Sequence, residues 1–293
     1  KNDDGQTGTF IQNIEQKKYP ILHLDLNTEK YDTPESLDRI LNDTLAKWEM
    51  VYGTAPSETS IPLRFKGIVQ RACEQSGQRV VILIDEYDNF TNQLLTAYND
   101  PLYEEVTTND SFLRTYFKVI KKGIGEGSIR TCFCTGVLPV TMDDLTSGYN
   151  IAEILTLEPN FLNMLGFTYE ETETYLRYVL DKYSTGQERF DEIWQLIVSN
   201  YDGYRFRPNG DRLFNATILT YFFKKFAANA GSIPDELVDE NLRTDIHWIR
   251  RLTLSLDNAK AMLDALVIDD ELPYNVADLA SKFNKKKFFD KEF

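Results

Sequence analysis

Val80-Val81-Ile82-Leu83-Ile84-Asp85-Glu86-Tyr87-Asp88 joins five unbroken apolar residues to two adjacent carboxylates, with a third two positions on. A continuous apolar run of this length, bounded by polar Gln78-Arg79 and then by charge, reads as a strand buried on both faces of a parallel sheet. Acids just past its last residue fall at the carboxyl edge of that sheet, where open α/β folds bind ligands. In a nucleotide hydrolase, an Asp that anchors Mg²⁺ and a Glu that polarises water belong there. The same pattern also fits a buried strand followed by a solvated acidic turn, with Asp88 capping the next helix.

Further strands flank this one. Tyr19–Leu26 reads as a first strand, with His23 as a satisfied core histidine, and Ile129–Gly136 reads as a third. Thr33-Pro34 opens a helix over 34–52 on the stripe Leu37, Ile40, Leu41, Leu45 and Trp48. A Gly/Pro/Ser linker (53–60) leads to a helix through Phe65, Ile68, Val69, Ala72 and Cys73 that closes near Gly77. A further helix starts near Asp88, 99–110 reads as loop, and Phe112–Ile120 carries a strong helical stripe. Residues 151–157 read as another strand. The alternation predicts an α/β domain with a parallel sheet over 1–160.

From about residue 160 the pattern is helical. Thr168-Tyr169-Glu170-Glu171 is a capping box, and helices are expected at 168–182, 187–199, 213–229, 236–255 and 257–267, with no strand. Residues 161–270 are thus expected to form an α-helical lid domain, and 271–293 a tail leading to a region beyond this chain.

The formal net charge of −14 argues against general affinity for nucleic-acid backbone or anionic lipid, both of which need basic surface. No apolar stretch approaches the 18 residues of a membrane span, so a soluble cytoplasmic protein is expected. Cys73, Cys132 and Cys134 include no CxxC pair. Cys132 and Cys134 face one side of a strand and are too near in sequence for a usual disulfide, and the reading for all three is buried free thiols in a reducing cytoplasm. The chain opens on Lys1 without Met, the expected start of a segment of a longer protein.

Thr135 ends the strand after the acid-bearing one. In hydrolases whose nucleotide sits on a phosphate-binding loop, a polar residue at that position senses the γ-phosphate or the attacking water. The alternative for Thr135 is a strand-end hydroxyl satisfying a loop amide. The loop itself, GxxxxGK[ST], occurs nowhere in the chain, and Gly5-Gln6-Thr7-Gly8-Thr9 has neither its spacing nor its lysine. Tyr201-Asp202-Gly203-Tyr204-Arg205-Phe206 is a dense aromatic block around one glycine. Arg205 could neutralise phosphate there, or simply stack on a ring. Asp143-Asp144 read as a helix cap.

Taken with Phe133-Cys134-Thr135-Gly136-Val137-Leu138, Gly166-Phe167-Thr168-Tyr169-Glu170-Glu171 and Phe214-Asn215, these stretches resemble the AAA-ATPase-like family of bacterial P-loop proteins over about residues 10–282. The resemblance implies a P-loop NTPase core of AAA+/STAND type followed by a helical lid. It implies ATP and Mg²⁺ as cofactors, with Asp85 for the metal, Glu86 for the attacking water, Thr135 as sensor and Arg205 toward nucleotide. It also implies a phosphate-binding loop upstream of Lys1 and, in many members, a PD-(D/E)XK nuclease-like domain downstream of Phe293. Nucleic acid would be contacted only through that downstream domain. The alternative is a non-catalytic scaffold of the same fold, whose partner is another protein.

Overall fold

A computed structural model describes residues 17–27, 33–96, 100–107, 112–136, 153–183, 188–207, 210–239, 259–265 and 268. These fall into two compact units, the first holding the described residues up to Gly136 together with Ala259, the second those from Glu153 to Asp239 and from Lys260 on.

The first unit is built on three parallel strands: β1 (Ile21–Asp25), β2 (Val80–Asp85) and β3 (Ile129–Cys134), in the order β1-β2-β3. The acid-bearing strand is therefore central, as its apolar run requires. Between the strands run α1 (Pro34–Tyr52), α2 (Ile61–Ser76), α3 (Asn89–Thr96), α4 (Asp100–Thr107) and α5 (Phe112–Glu126). Leu22 and Leu24 of β1 and Val80, Ile82 and Ile84 of β2 point to one face. There they pack with Leu41 and Leu45 of α1, Phe65 and Ile68 of α2, and Tyr116 and Ile120 of α5. Phe65 and Tyr116 stack at 4.1 Å between ring centroids, a pairing that adds to the area they bury.

Burial is less even than the apolar run implies. Val81 and Leu83, on the opposite face, are half-buried, and Ile21, His23 and Phe133 are exposed. His23 is therefore not a core histidine: the two-residue period of β1 turns it away from α1 and α2. The loop expected over 99–110 contains α4. Asp100-Pro101 is a helix-start signal, and Leu102 and Tyr103 bury the short helix despite its polar sequence. α5 runs through Gly123 and Gly125, and Gly127, at φ 81°, ends it.

Two arginines fasten α1 to α2. Arg64 forks onto Glu49 at 2.7 and 2.8 Å, and Arg71 grips Glu58 and also donates to the Tyr52 and Gly53 carbonyls at the end of α1. The arginine hydrogen bonds hold the Glu49 and Glu58 carboxyls below their ordinary 4.5. A depressed carboxyl stabilises the fold above its unfolded pKa, and that contribution is lost as pH falls through the folded value. The first unit is therefore expected to weaken on acidification below about pH 4.5. The double variant Glu49→Gln/Glu58→Gln should give a flatter urea-stability profile over that window and be about 1–2 kcal/mol less stable at neutral pH, from lost charge-assisted bonds. Equal acid sensitivity in both proteins would contradict this.

The second unit contains short β4 (Phe167–Thr168), α6 (Tyr169–Lys182), α7 (Glu188–Tyr201), short β5 (Leu213–Phe214) and α8 (Ala216–Ala228). The capping box forms as its sequence predicts, with the Glu171 amide on Thr168 Oγ1 and the Thr168 amide on Glu171 at 2.9 Å. Asn215 caps α8 through the Thr217 and Ile218 amides. Leu176, Leu180, Ile193, Ile197, Phe222 and Phe226 form its core. β4 and β5 pair antiparallel where no strand was expected. The strand expected over 151–157 is, in its described part, a 3₁₀ turn at Leu155–Leu157. The helix expected at 236–255 is not present over 236–239, and the rest of it lies outside the described residues, as do Asp143-Asp144. A short α9 (Ala259–Asp264) falls within the helix expected at 257–267. Among the described residues, no helix is long and apolar enough to cross a membrane.

Candidate functional site

Parallel register brings the ends of the three strands into one row. Asp25 pairs with Asp85, and Cys134 pairs with Ile84. Thr135 extends the ladder one step further: its N–H donates to the Ile84 carbonyl at 2.9 Å, and its own carbonyl accepts from the Tyr87 N–H at 3.0 Å. Alternation along each strand puts Asp25, Asp85 and Thr135 on the face away from the helices.

Side chains then join the row. Thr135 Oγ1 donates to Asp85 Oδ1, and the Glu86 amide donates to the same oxygen at 3.1 Å. Both bonds converge on Oδ1, so Oδ2 is the oxygen left for a cation or its water. Asn89, at the start of α3, donates from Nδ2 to the Leu26 carbonyl and to Asn27 Oδ1, tying the turn after β2 to the end of β1.

Glu86 adopts φ 53°, a left-handed conformation in a residue with a side chain, which costs about 1–2 kcal/mol. The surroundings impose it. Tyr87 and Asp88 are buried, the Tyr87 amide is held by Thr135, and the Asn89 amide donates to the Glu86 carbonyl at 3.0 Å. Strain of this kind collects where a side chain must be aimed. A Cβ on Gly136 would strike the Asp88 carboxylate and the Tyr87 ring, so the close approach after β3 needs glycine. Burial, and then the charges of Asp88, Asp85 and Asp25, push the Glu86 carboxyl above its ordinary 4.5. Such a carboxylate is a better proton acceptor than an exposed one.

Among the described residues, no set of three or more His, Cys, Asp and Glu side chains is arranged to hold a metal ion. Mg²⁺ asks for less: one or two carboxylates, with water and substrate phosphate completing its octahedron. Asp85 Oδ2 at a sheet edge fits that role.

Asp85, Glu86 and Thr135 are thus brought together, whereas Arg205 lies in the second unit, exposed in the turn after Gly203. Its neighbours serve that turn. Asp202 accepts from Tyr169 Oη at 2.5 Å and from Arg212, Tyr201 Oη donates to the Leu237 carbonyl at 2.6 Å, and Tyr204 Oη donates to the Leu165 carbonyl. Asp25 and Asn89 join the site without having stood out in the sequence, and Gly136 stood out there only as the end of the third strand.

Comparison with known proteins gives a relative and a family. A protein from Azotobacter chroococcum mcd 1, described as an uncharacterized protein in the vnfD 5′ region, is 25% identical over 211 residues, 71% of this chain and 37% of that protein. The chain thus spans well under half the length of this relative. No solved structure matches. The model of the AAA-ATPase-like family, described as predicted AAA-ATPase, matches residues 5–146, a segment that holds all three strands and the row at their ends. Over that segment the chain matches the AAA-ATPase-like family, the one its sequence resembles.

Proposed function

We propose that this chain supplies the acid and sensor side of a Mg²⁺-dependent ATPase or ATP-driven switch, whose phosphate-cradling amides come from a loop the chain's sequence does not contain. The observation that carries the reading is the row at the end of the central strand, where Thr135 is hydrogen-bonded to Asp85 and Glu86 stands beside them in a strained backbone. In this reading Asp85 would hold Mg²⁺ directly or through a water, and the chemistry such an ion would supply is neutralisation of charge on the transferred phosphoryl group. Thr135 fixes the carboxylate's rotamer by its bond to Oδ1 and reports the state of the site to β3. Glu86 accepts a proton from the attacking water. The second unit acts as a helical lid that responds to the nucleotide, with Arg205 its candidate phosphate contact.

The test is calorimetry on the full-length protein. Mg²⁺–ATP should bind, and Asp85→Asn should weaken the Mg²⁺-dependent part of the affinity by roughly tenfold, or ~1.4 kcal/mol, while the fold is retained. Absence of binding by the full-length parent would leave the non-catalytic scaffold as the surviving reading.

A further inference from the structure

The two thiols of β3 lie directly behind this row. Cys132 and Cys134 project from the strand onto the helix-covered face, half-buried, with their sulfurs 3.7 Å apart. Cys134 pairs with Ile84, the residue before Asp85, and precedes Thr135. Hydrogen bonding from Cys132 lowers the Cys134 thiol below its ordinary 9.0, against the opposing effect of burial. Two residues along a strand span about 6.6 Å, near the upper limit of about 6.8 Å between Cα atoms joined by a disulfide. The sulfurs are near enough to react, and bonding them must shorten the strand at its carboxyl end.

We propose that Cys132 and Cys134 form a peroxide-sensitive dithiol whose closure to a disulfide pulls Thr135 away from Asp85. The chemistry is a two-electron oxidation by hydrogen peroxide. The Cys134 thiolate attacks one peroxide oxygen, the O–O bond breaks, and the departing hydroxide is protonated to water, leaving a sulfenic acid. Cys132 sulfur then attacks the sulfenic sulfur. The S–S bond forms, the S–O bond breaks, and a second water leaves with the Cys132 proton. Two thiols are oxidised and one peroxide is reduced to two waters. Tightening the backbone between residues 132 and 134 strains the Thr135 N–H bond to Ile84 and the Tyr87 N–H bond to Thr135, which seat the sensor hydroxyl. The consequence for nucleotide rests on the proposed ATPase reading, but the displacement does not.

Full-length protein is treated with hydrogen peroxide, alkylated and digested. The peptide carrying Cys132 and Cys134 should become lighter by two hydrogens and refuse the alkylating label, Cys73 should still accept it, and dithiothreitol should reverse the change. Hydrogen exchange at the Tyr87 and Thr135 amides should rise roughly tenfold on oxidation and stay unchanged in Cys134→Ser. Mg²⁺–ATP affinity should fall with the same reversibility. Continued labelling of both cysteines after peroxide would overturn the disulfide, and a disulfide that leaves both amides protected would overturn the displacement. If reduced protein binds no nucleotide, the ATPase reading falls while the mass and exchange measurements still decide the switch.

Discussion

Glu86→Gln is expected to lower turnover of saturating Mg²⁺–ATP by the full-length protein about 10²–10⁴-fold, the range for removing a general base, with affinity changed by less than about twofold. Glutamine keeps the size and most of the polarity of the side chain, but it cannot take a proton from water. The carboxylate it replaces is raised by burial and by Asp88, Asp85 and Asp25, so the loss concerns a base tuned by its surroundings. The same shift fixes the sign of a second readout. A carboxyl raised in the folded state binds more protons than its unfolded counterpart between the two pKa values, so stability falls as pH rises through that window. Glu86→Gln should therefore melt above the parent at neutral pH and converge with it below about pH 4. Parallel losses of turnover and affinity would mean that Glu86 holds nucleotide or metal instead.

In the proposed reading, the base and the strain at Glu86 are one device. The left-handed backbone breaks the line of β2 immediately after Asp85, which releases the two carboxylates from the strict alternation of a regular strand. One can then address a metal and the other a water, a division of labour that two acids on regular β backbone would achieve only by facing opposite sides of the sheet.

Much of this was legible in Val80–Asp88. An unbroken apolar run followed by acids specified a parallel strand with carboxylates at its end, and the sheet order places that strand at the centre. Asp25 was not legible, because its place beside Asp85 depends on register between strands some sixty residues apart in sequence. His23 misled because a short apolar run hides which of its alternating positions will meet a helix. α4 was masked by its acids, although Asp100-Pro101 marks its start. β4 and β5 hold two residues each, too few to show any period.

Gly203→Ala is expected to destabilise the second unit by about 3 kcal/mol, an effect of the size reserved for clashes the fold cannot relieve. A Cβ at this position would overlap the Leu213 carbonyl. That carbonyl accepts from the Tyr204 N–H at 3.2 Å, and the Leu213 N–H donates back to Tyr204 at 3.0 Å. The obstacle is backbone, so no rotamer change removes it, and separating the segments breaks both bonds. β5 also carries Phe214, buried against Tyr169 at 4.6 Å between ring centroids, so the disturbance reaches the start of α6. The measurement is urea denaturation followed by hydrogen exchange in α6 and α7. Arg205→Ala, two residues away on an exposed side chain, should change stability by less than about 1 kcal/mol, the range of an exposed polar contact. A loss of nucleotide affinity in that variant alone would separate phosphate contact from turn packing within the same six residues. Unchanged stability in Gly203→Ala would show that the segments can part without cost, and the close approach would then not be what makes glycine necessary.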